Sequence, residues 1–502
     1  MAGTTPVHDA MKGRRGTLAL LVTTQFMLIL DAAIVGVALP SIGRDLGFAS
    51  QDTSWIPNAY TLLYGGFLIL GGRLGDYVGR RRLFTGGLLL FAAASLVGGL
   101  APAPGWLIAA RGAQGLAAAL VSPSALSLIL RVFPDRDRAG ADLRNHALAV
   151  MGTAAAAGGS VGLFAGGVLT DLWGWEAVFY VNVPVACACA ALALRLLPPD
   201  RGTSRTTFDL PGAVTVTAGL ILFVYVLING PTTGWTSGRI LWLGPLACLL
   251  LGAFLAIQLR RSHPLVPMGI FRRRPLRGAN LVAALINMVI SPMYIVLSLY
   301  LQSVLGYSPL RSGVAVLPLA IASTLVSSVA GRLLARFSLR ACTATGLVLF
   351  TAGVVWLSRI SGGPYQREVL GPLLLLGAGG IVFVAFTVAG TAGADDEGSG
   401  LASGVLGTSQ QIGAAVGLAV ITTVATWGSH HAAGGHPVGA ADLTTGYRYA
   451  LLAATGIMLL ALWACLSLLP GRAGAADPGT GRAPGEQPST PAAEEGPAAR
   501  IG

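Results

Sequence analysis

Apolar runs of membrane-spanning length recur from residue 17 to residue 469, broken by short stretches rich in Gly, Pro, Asp and Arg. A helix crossing a bilayer needs roughly 20 such residues. The runs predict helices over 17–39, 54–72, 83–101, 105–129, 146–169, 177–197, 209–229, 239–258, 278–301, 312–333, 341–358, 369–391, 401–426 and 449–469, fourteen in all. The first run follows Lys12, Arg14 and Arg15 as a secretory leader would. It is longer than a leader's apolar core and lacks a small-residue cleavage site, so it reads as a retained span. From residue 471 the pattern changes to Pro, Gly, Ala and Glu with almost no large apolar residue. Such a tail cannot bury enough surface to offset its ordering entropy, and 471–502 is expected to be disordered.

Composition agrees with lipid as the solvent: 54% of the 502 residues are apolar and 11% charged, against about a quarter charged in soluble domains. The net charge of +12 raises nucleic acid as a partner until the basic residues are placed. With the N-terminus inside, 26 Lys and Arg fall on the cytoplasmic side, including Arg73, Arg80 to Arg82 and the clusters near 136, 201, 273 and 336. Six fall outside (Arg44, Arg239, Arg311, Arg359, Arg367, Arg448), and Arg111 lies within a span. This is the positive-inside asymmetry. It explains the basic excess without nucleic acid and places both termini in the cytoplasm. Cys187, Cys189, Cys248, Cys342 and Cys465 all sit in apolar runs and read as small hydrophobes, not as disulfide or metal partners.

A repeat is visible. Gly72-Arg-Leu-Gly-Asp-Tyr-Val-Gly-Arg-Arg81 follows the second predicted helix, and a degraded copy, Gly331-Arg-Leu-Leu-Ala-Arg-Phe-Ser-Leu-Arg340, follows the tenth. The match pairs helices 1–6 with 9–14 and sets helices 7 and 8 apart as an inserted pair. The expected organisation is a cytoplasmic segment 1–16, a six-helix bundle 17–200, two inserted helices 201–262, a second six-helix bundle 263–470 and the tail. Parallel six-helix repeats around a midplane cavity are a transporter architecture.

Three segments then carry a family resemblance: Leu30-Asp-Ala-Ala-Ile-Val-Gly-Val-Ala-Leu-Pro40, the Gly72 to Arg82 loop, and Arg111-Gly-Ala-Gln114-Gly115. With the run Phe179-Tyr-Val-Asn182-Val-Pro184, they make the chain resemble the fourteen-helix branch of the drug:proton antiporters in the major facilitator superfamily. The resemblance implies two pseudo-symmetric six-helix bundles in a 6+2+6 arrangement and proton-coupled export of small amphipathic drugs, antibiotics or metabolites. It also implies that the Gly72 to Arg82 loop, through Gly72, Asp76, Gly79, Arg80 and Arg81, latches the outward-open state. The branch usually has Asn where this chain has Gly36, and a Gly-Pro pair where it has Gly162-Leu163. In the family that fifth-helix motif is associated with antiport, so proton-linked uptake stands as the alternative direction.

Only two ionisable residues lie deep in the predicted spans, Asp31 and Arg111, and charge inside a membrane is costly enough to point to function. Asp31 is nine residues before Pro40 and Arg111 six after Gly105. At about 1.5 Å per residue both sit roughly 9–14 Å below the outer surface, where they can meet. Burial favours a proton on Asp31 and the approach of Arg111 favours its removal, so a conformational switch between these conditions would move a proton. A static pair joining two helices is the competing reading.

Tyr60, Tyr64, Gln114, Asn287, Tyr294 and Gln410 are candidate cavity residues. Gly158, Gly162, Gly166 and Gly167 give the fifth helix a smooth face for close packing. Acidic residues are absent from predicted helices 9–14, which favours neutral, monocationic or zwitterionic substrates over dications. His430, His431 and His436 fall in one outer loop, where a solvated loop is expected in preference to a metal site. No G-x-x-x-x-G-K-[ST] motif appears, so the proton gradient and not ATP is the expected energy source, with no cofactor. Catalytic clusters are missing from the spans, which argues against an enzyme. Lys12 is the sole lysine amid abundant Ala, Gly and Arg, suggesting a GC-rich bacterial source, a plasma-membrane location and, by expectation, a monomer.

Overall fold

The computed structural model describes residues 5–48, 53, 55–134, 138–199, 209–261, 264–266, 269, 274–391 and 399–470. The tail expected to be disordered, 471–502, lies outside the described residues. In chain order the helices are α1 (Thr5–Asp45), α2 (Trp55–Val78), α3 (Arg80–Gly99), α4 (Pro104–Val132) and α5 (Arg138–Trp173). A short α6 (Ala177–Tyr180) runs into α7 (Asn182–Leu196), followed by α8 (Leu210–Thr233) and α9 (Gly238–Arg260). Then come α10 (Arg274–Leu299), ending in a π-helical turn Tyr300–Val304, α11 (Pro309–Arg336) and α12 (Leu339–Leu357). Last are α13 (Tyr365–Glu368), α14 (Leu370–Leu376), α15 (Gly379–Thr391), α16 (Ser399–Ala433) and α17 (Ala440–Leu468).

Among the described residues, twelve segments are long and apolar enough to cross a bilayer, with α6–α7 and α13–α15 each counted as one. A bent pair, His146–Gly159 and Phe164–Trp173 at 44°, makes a thirteenth. The remaining long helix, α2, has 24 residues, and Asn58, Thr61, Arg73 and Asp76 lower its apolarity. α1 starts at Thr5 and so extends well before the predicted start at residue 17.

Two large apolar cores form. One gathers Leu21, Phe84, Phe91, Leu128 and Ala190 from α1, α3, α4 and α7. The other gathers Ile286, Phe350, Leu373, Val382 and Met458 from α10, α12, α14, α15 and α17. They meet along α5 against α11 and α2 against α16. α8 and α9 pair with each other, and α8 rests on α2 and α16. Leu241, Trp242, Leu249 and Leu259 leave much of α9 apolar and outward-facing, as suits a helix against lipid, where an unpartnered polar side chain is costly.

The repeat has a structural counterpart. Arg81 donates from Nη2 to the Leu194 carbonyl near the end of α7. Arg340, at the matching place in the second copy, donates from Nε to the Leu469 carbonyl beyond α17 at 2.6 Å. Each arginine, on the helix that follows its loop, thus reaches a carbonyl near the end of a later helix, α7 in the first case and α17 in the second.

One polar knot was not singled out in the sequence. Asp209 caps α8, accepting from Gly212 N at 3.0 Å, and Gln258 Nε2 donates to its other oxygen at 2.8 Å. Arg261 lies at 3.5 Å, and Gln258 Oε1 accepts from Val266 N at 3.0 Å. The knot holds Leu265 and Val266 in an apolar cluster with Ile69 of α2 and with Leu401 and Val405 of α16.

Candidate functional site

Small residues bring the charged helices together. A Cβ on Gly158, Gly162 or Gly166 would lie 2.7–2.8 Å from the Phe26, Leu30 and Ile34 carbonyls in turn. α5 therefore rests directly on the backbone of α1 on either side of Asp31. Gly167 points elsewhere, toward Leu310 of α11, whose Cδ1 a Cβ would meet at 3.4 Å. On α4, a Cβ on Gly115 would fall 2.2 Å from the Tyr60 carbonyl. That closeness lets α2 wrap the guanidinium one turn away.

Asp31 and Arg111 meet: Nη1 of Arg111 donates to Asp31 Oδ2 at 2.7 Å, with the side chains 0% and 1% exposed. The other carboxylate oxygen, Oδ1, accepts from Asn182 Nδ2 at 2.8 Å and Gln114 Nε2 at 3.1 Å. Gln114 also accepts from Arg111 Nη1 at 2.8 Å and donates to Ser95 Oγ at 2.8 Å. Arg111 Nε reaches the Ile56 carbonyl at 3.4 Å, and its Cζ lies 4.5 Å from the centre of the Tyr60 ring. Helices α1, α2, α3, α4 and α7 thus converge on one carboxylate. Every neighbour of Asp31 named here is an N–H donor, a shell that suits the ionised form.

Between the halves lies a cavity of about 300 Å³. α1, α2, α4 and α5 wall one side; α10, α11, α12, α14, α15 and α16 wall the other. Tyr64, Asn287, Tyr294 and Gln410, expected in a cavity, all line it. Tyr60 and Gln114 lie elsewhere, in the shell around the ion pair. Phe350, Phe383, Phe386, Met151 and Met293 supply the apolar wall, and no Asp, Glu, Lys, Arg or His is among the described lining residues. The ion pair reaches the cavity through two rings: Tyr60, under Arg111, lies 5.7 Å from Tyr64, whose hydroxyl donates to Ser122 Oγ at 3.3 Å.

At one end of the same bundle, Gly79 separates α2 from α3 with φ +100°, a conformation costly to any residue with a Cβ. Asp76 is buried and paired with Arg80 at 3.2 Å and Arg73 at 3.7 Å. α16 crosses immediately above: a Cβ on Gly404 would sit 2.9 Å from the Leu68 carbonyl and 3.4 Å from Gly72 Cα. The Asp76 group therefore adjoins a seam between the two halves. In the second copy Ala335 stands where the first has Asp76, so this ion pairing belongs to one half.

A family model described as Major Facilitator Superfamily matches residues 21–418. The chain belongs to this superfamily. Among major facilitators it is 37% identical to puromycin resistance protein pur8 of Streptomyces alboniger, over 92% of each chain. It is 36% identical to cephamycin export protein CmcT of Amycolatopsis lactamdurans, over 92% of this chain and 94% of that one. Its fold resembles the human organic anion transporter MFSD10 (TM-score 0.65, 15% identity, 90% of this chain and 99% of that chain). It also resembles the proton:xylose symporter XylE (TM-score 0.62, 12% identity, 92% and 98%). At those identities the two structures speak for the major facilitator fold alone. The chain is a multi-pass membrane transporter and not an enzyme.

Several residues of the site carry no signal in the sequence. Asn182 stands out only as part of a family run, and Ser95, Gln25 and Gln411 look like any polar residue in an apolar helix; only the packing aims them inward. His430 and His431, expected in an outer loop, lie in the last turn of α16; His431 stacks on Trp427 at 5.3 Å and His436 lies 3.7 Å from Asp442. Among the described residues no group of three metal-ligating side chains comes together.

Proposed function

We propose that this major facilitator is a proton-coupled antiporter that exports small amphipathic drugs, antibiotics or metabolites across a bacterial plasma membrane. The observation that carries the reading is the continuous path Asp31, Arg111, Tyr60, Tyr64, which joins a fully buried carboxylate to an uncharged cavity between the two halves. In the conformation described, Arg111 pairs with Asp31 at 2.7 Å. A change at Tyr64 that shifts Tyr60 loosens the guanidinium, and a carboxylate deprived of its cation in a low-dielectric site takes up a proton. Alternating access then exposes Asp31 to one side with its proton and to the other without it. The names of the puromycin and cephamycin relatives support export, and the uncharged wall supports neutral, monocationic or zwitterionic substrates.

The finer architecture belongs to the same proposal. Counting α2 with the bent α5 and the twelve apolar segments gives fourteen spans. The matched Arg81 and Arg340 ties support halves of six with α8 and α9 inserted, close to the divisions 17–200, 201–262 and 263–470. The positive-inside count supports both termini in the cytoplasm, and the chain acts as a monomer. With that orientation the Asp76, Arg80 and Gly72 group sits at the inner seam, where it latches the outward-open state.

Proteoliposomes with an imposed pH gradient test the function. Vesicles acidic inside should accumulate puromycin as protons leave, and collapse of the gradient with an ionophore should stop accumulation. Accumulation that ignores the gradient would remove the proton coupling. For the latch, Asp76→Ala should raise labelling of a cysteine placed at the inner seam and lower transport about tenfold, since a buried ion-paired carboxylate is lost. Unchanged labelling and transport would leave the loop a purely topogenic cluster.

A further inference from the structure

Among the described residues whose buried polar atoms lack a hydrogen-bond partner, one lines the cavity. Gln25, on α1, is 9% exposed, and its Oε1 accepts no hydrogen bond. Three other polar residues of the wall are tied to the protein: Tyr64 donates to Ser122 Oγ at 3.3 Å, Asn287 Nδ2 to the Ala283 carbonyl at 2.8 Å, and Thr387 Oγ1 to the Phe383 carbonyl at 2.8 Å. A buried acceptor without a donor destabilises the fold, and Met or Leu would fill the same volume without that penalty. The terminal amide torsion is soft, so the oxygen can turn toward an occupant. Ile29, one turn along α1, lines the same cavity. Asp31 is six residues from Gln25, about 9 Å along the helix axis and roughly 120° around it. One helix thus carries the orphan acceptor on its cavity face and the carboxylate on its interior face.

We propose that Gln25 is a specificity-determining residue, whose carbonyl accepts a hydrogen bond from an N–H or O–H group of the substrate. The substrate class is an amphipathic compound with an apolar body, held by Phe383, Phe386, Met151 and Met293, and a donor that meets Gln25. The assignment rests on the transport reading above. It adds a chemical requirement that neither the lining as a whole nor the ion pair imposes.

Two cationic dyes of nearly equal body separate that requirement from simple packing. Rhodamine 6G carries secondary N–H groups, whereas rhodamine B ethyl ester has fully alkylated nitrogens and offers no donor. With the full-length protein in proteoliposomes, Gln25→Met should raise the KM for rhodamine 6G about tenfold with little change in maximal rate. Its KM for rhodamine B ethyl ester should stay within about twofold. Thermal unfolding of purified Gln25→Met should occur at the wild-type temperature or above it, because the orphan acceptor is gone. Equal shifts for the two dyes, no shift for rhodamine 6G, or a lower unfolding temperature would each overturn the assignment. A wild type that accumulates puromycin but moves neither dye overturns the substrate class and the assignment with it, and one that accumulates none of the three overturns the exporter reading on which both rest. One that moves both, with Gln25→Met shifting the two alike, refutes the assignment alone.

Discussion

Asp31→Asn is expected to reduce gradient-driven accumulation to the level of protein-free vesicles while substrate still binds. Asn has nearly the volume of Asp and keeps one oxygen to face Arg111 at the place now occupied by Oδ2. Its amide nitrogen, however, meets Gln114 Nε2 and Asn182 Nδ2, which now donate to Oδ1. Those amides have to turn to restore complementarity, at a stability cost of about 1–3 kcal/mol. No group in this shell then exchanges a proton with the solvent near neutral pH. Counterflow of labelled substrate without a gradient should persist, because the cavity wall contains neither Asp31 nor Arg111. Accumulation by Asp31→Asn that still follows the pH gradient would remove Asp31 from the coupling.

Arg111→Gln should produce the largest loss of stability. It leaves the Asp31 carboxylate fully buried with its charge partner gone, and breaking a buried pair in this way costs about 3–5 kcal/mol. The Tyr60 ring loses its cation at the same time. The double variant Asp31→Asn/Arg111→Gln removes both charges and should recover most of that loss, seen as unfolding temperature in detergent. Transport separates the two readings of the pair. A pair that only joins α1 to α4 predicts that the double variant transports again; a coupling pair predicts a stable protein that no longer follows the gradient. An Arg111→Gln protein as stable as the wild type would show that the charge is compensated in some other way.

The apolar runs were legible because a bilayer imposes a length and a composition on each spanning helix, independent of what the helix packs against. Most predicted spans therefore coincide with helices, and the deviations have local causes. The sixth is interrupted between Tyr180 and Asn182, and the twelfth between Leu376 and Gly379. α2 carries enough polar residues to escape a purely apolar criterion. Asp31 and Arg111 stood out for a related reason: charge at that depth is rare, and counting residues from the helix ends was enough to put both at one level.

Depth does not specify azimuth. Tyr60 and Tyr64 are four residues apart on one helix, yet one ring covers Arg111 and the other faces the cavity. Gln114 reads as a cavity residue by its polarity but turns back to the carboxylate from the same helix as Arg111. Asp209 had a readable signal, an Asp placed before Leu-Pro as a helix cap; its tie to Gln258 and Val266 spans a distance in sequence that no local pattern reports.

By itself, then, the sequence determined the solvent, the positions of the spanning helices, the repeat and the two charges at depth, because each follows from the free energy of single residues or segments in lipid. Tertiary structure decided which face of each helix met which neighbour. The glycines of α5 and α4 set backbone distances, and those distances made an ion pair of two isolated charges; the same packing aims Gln25 into the cavity wall.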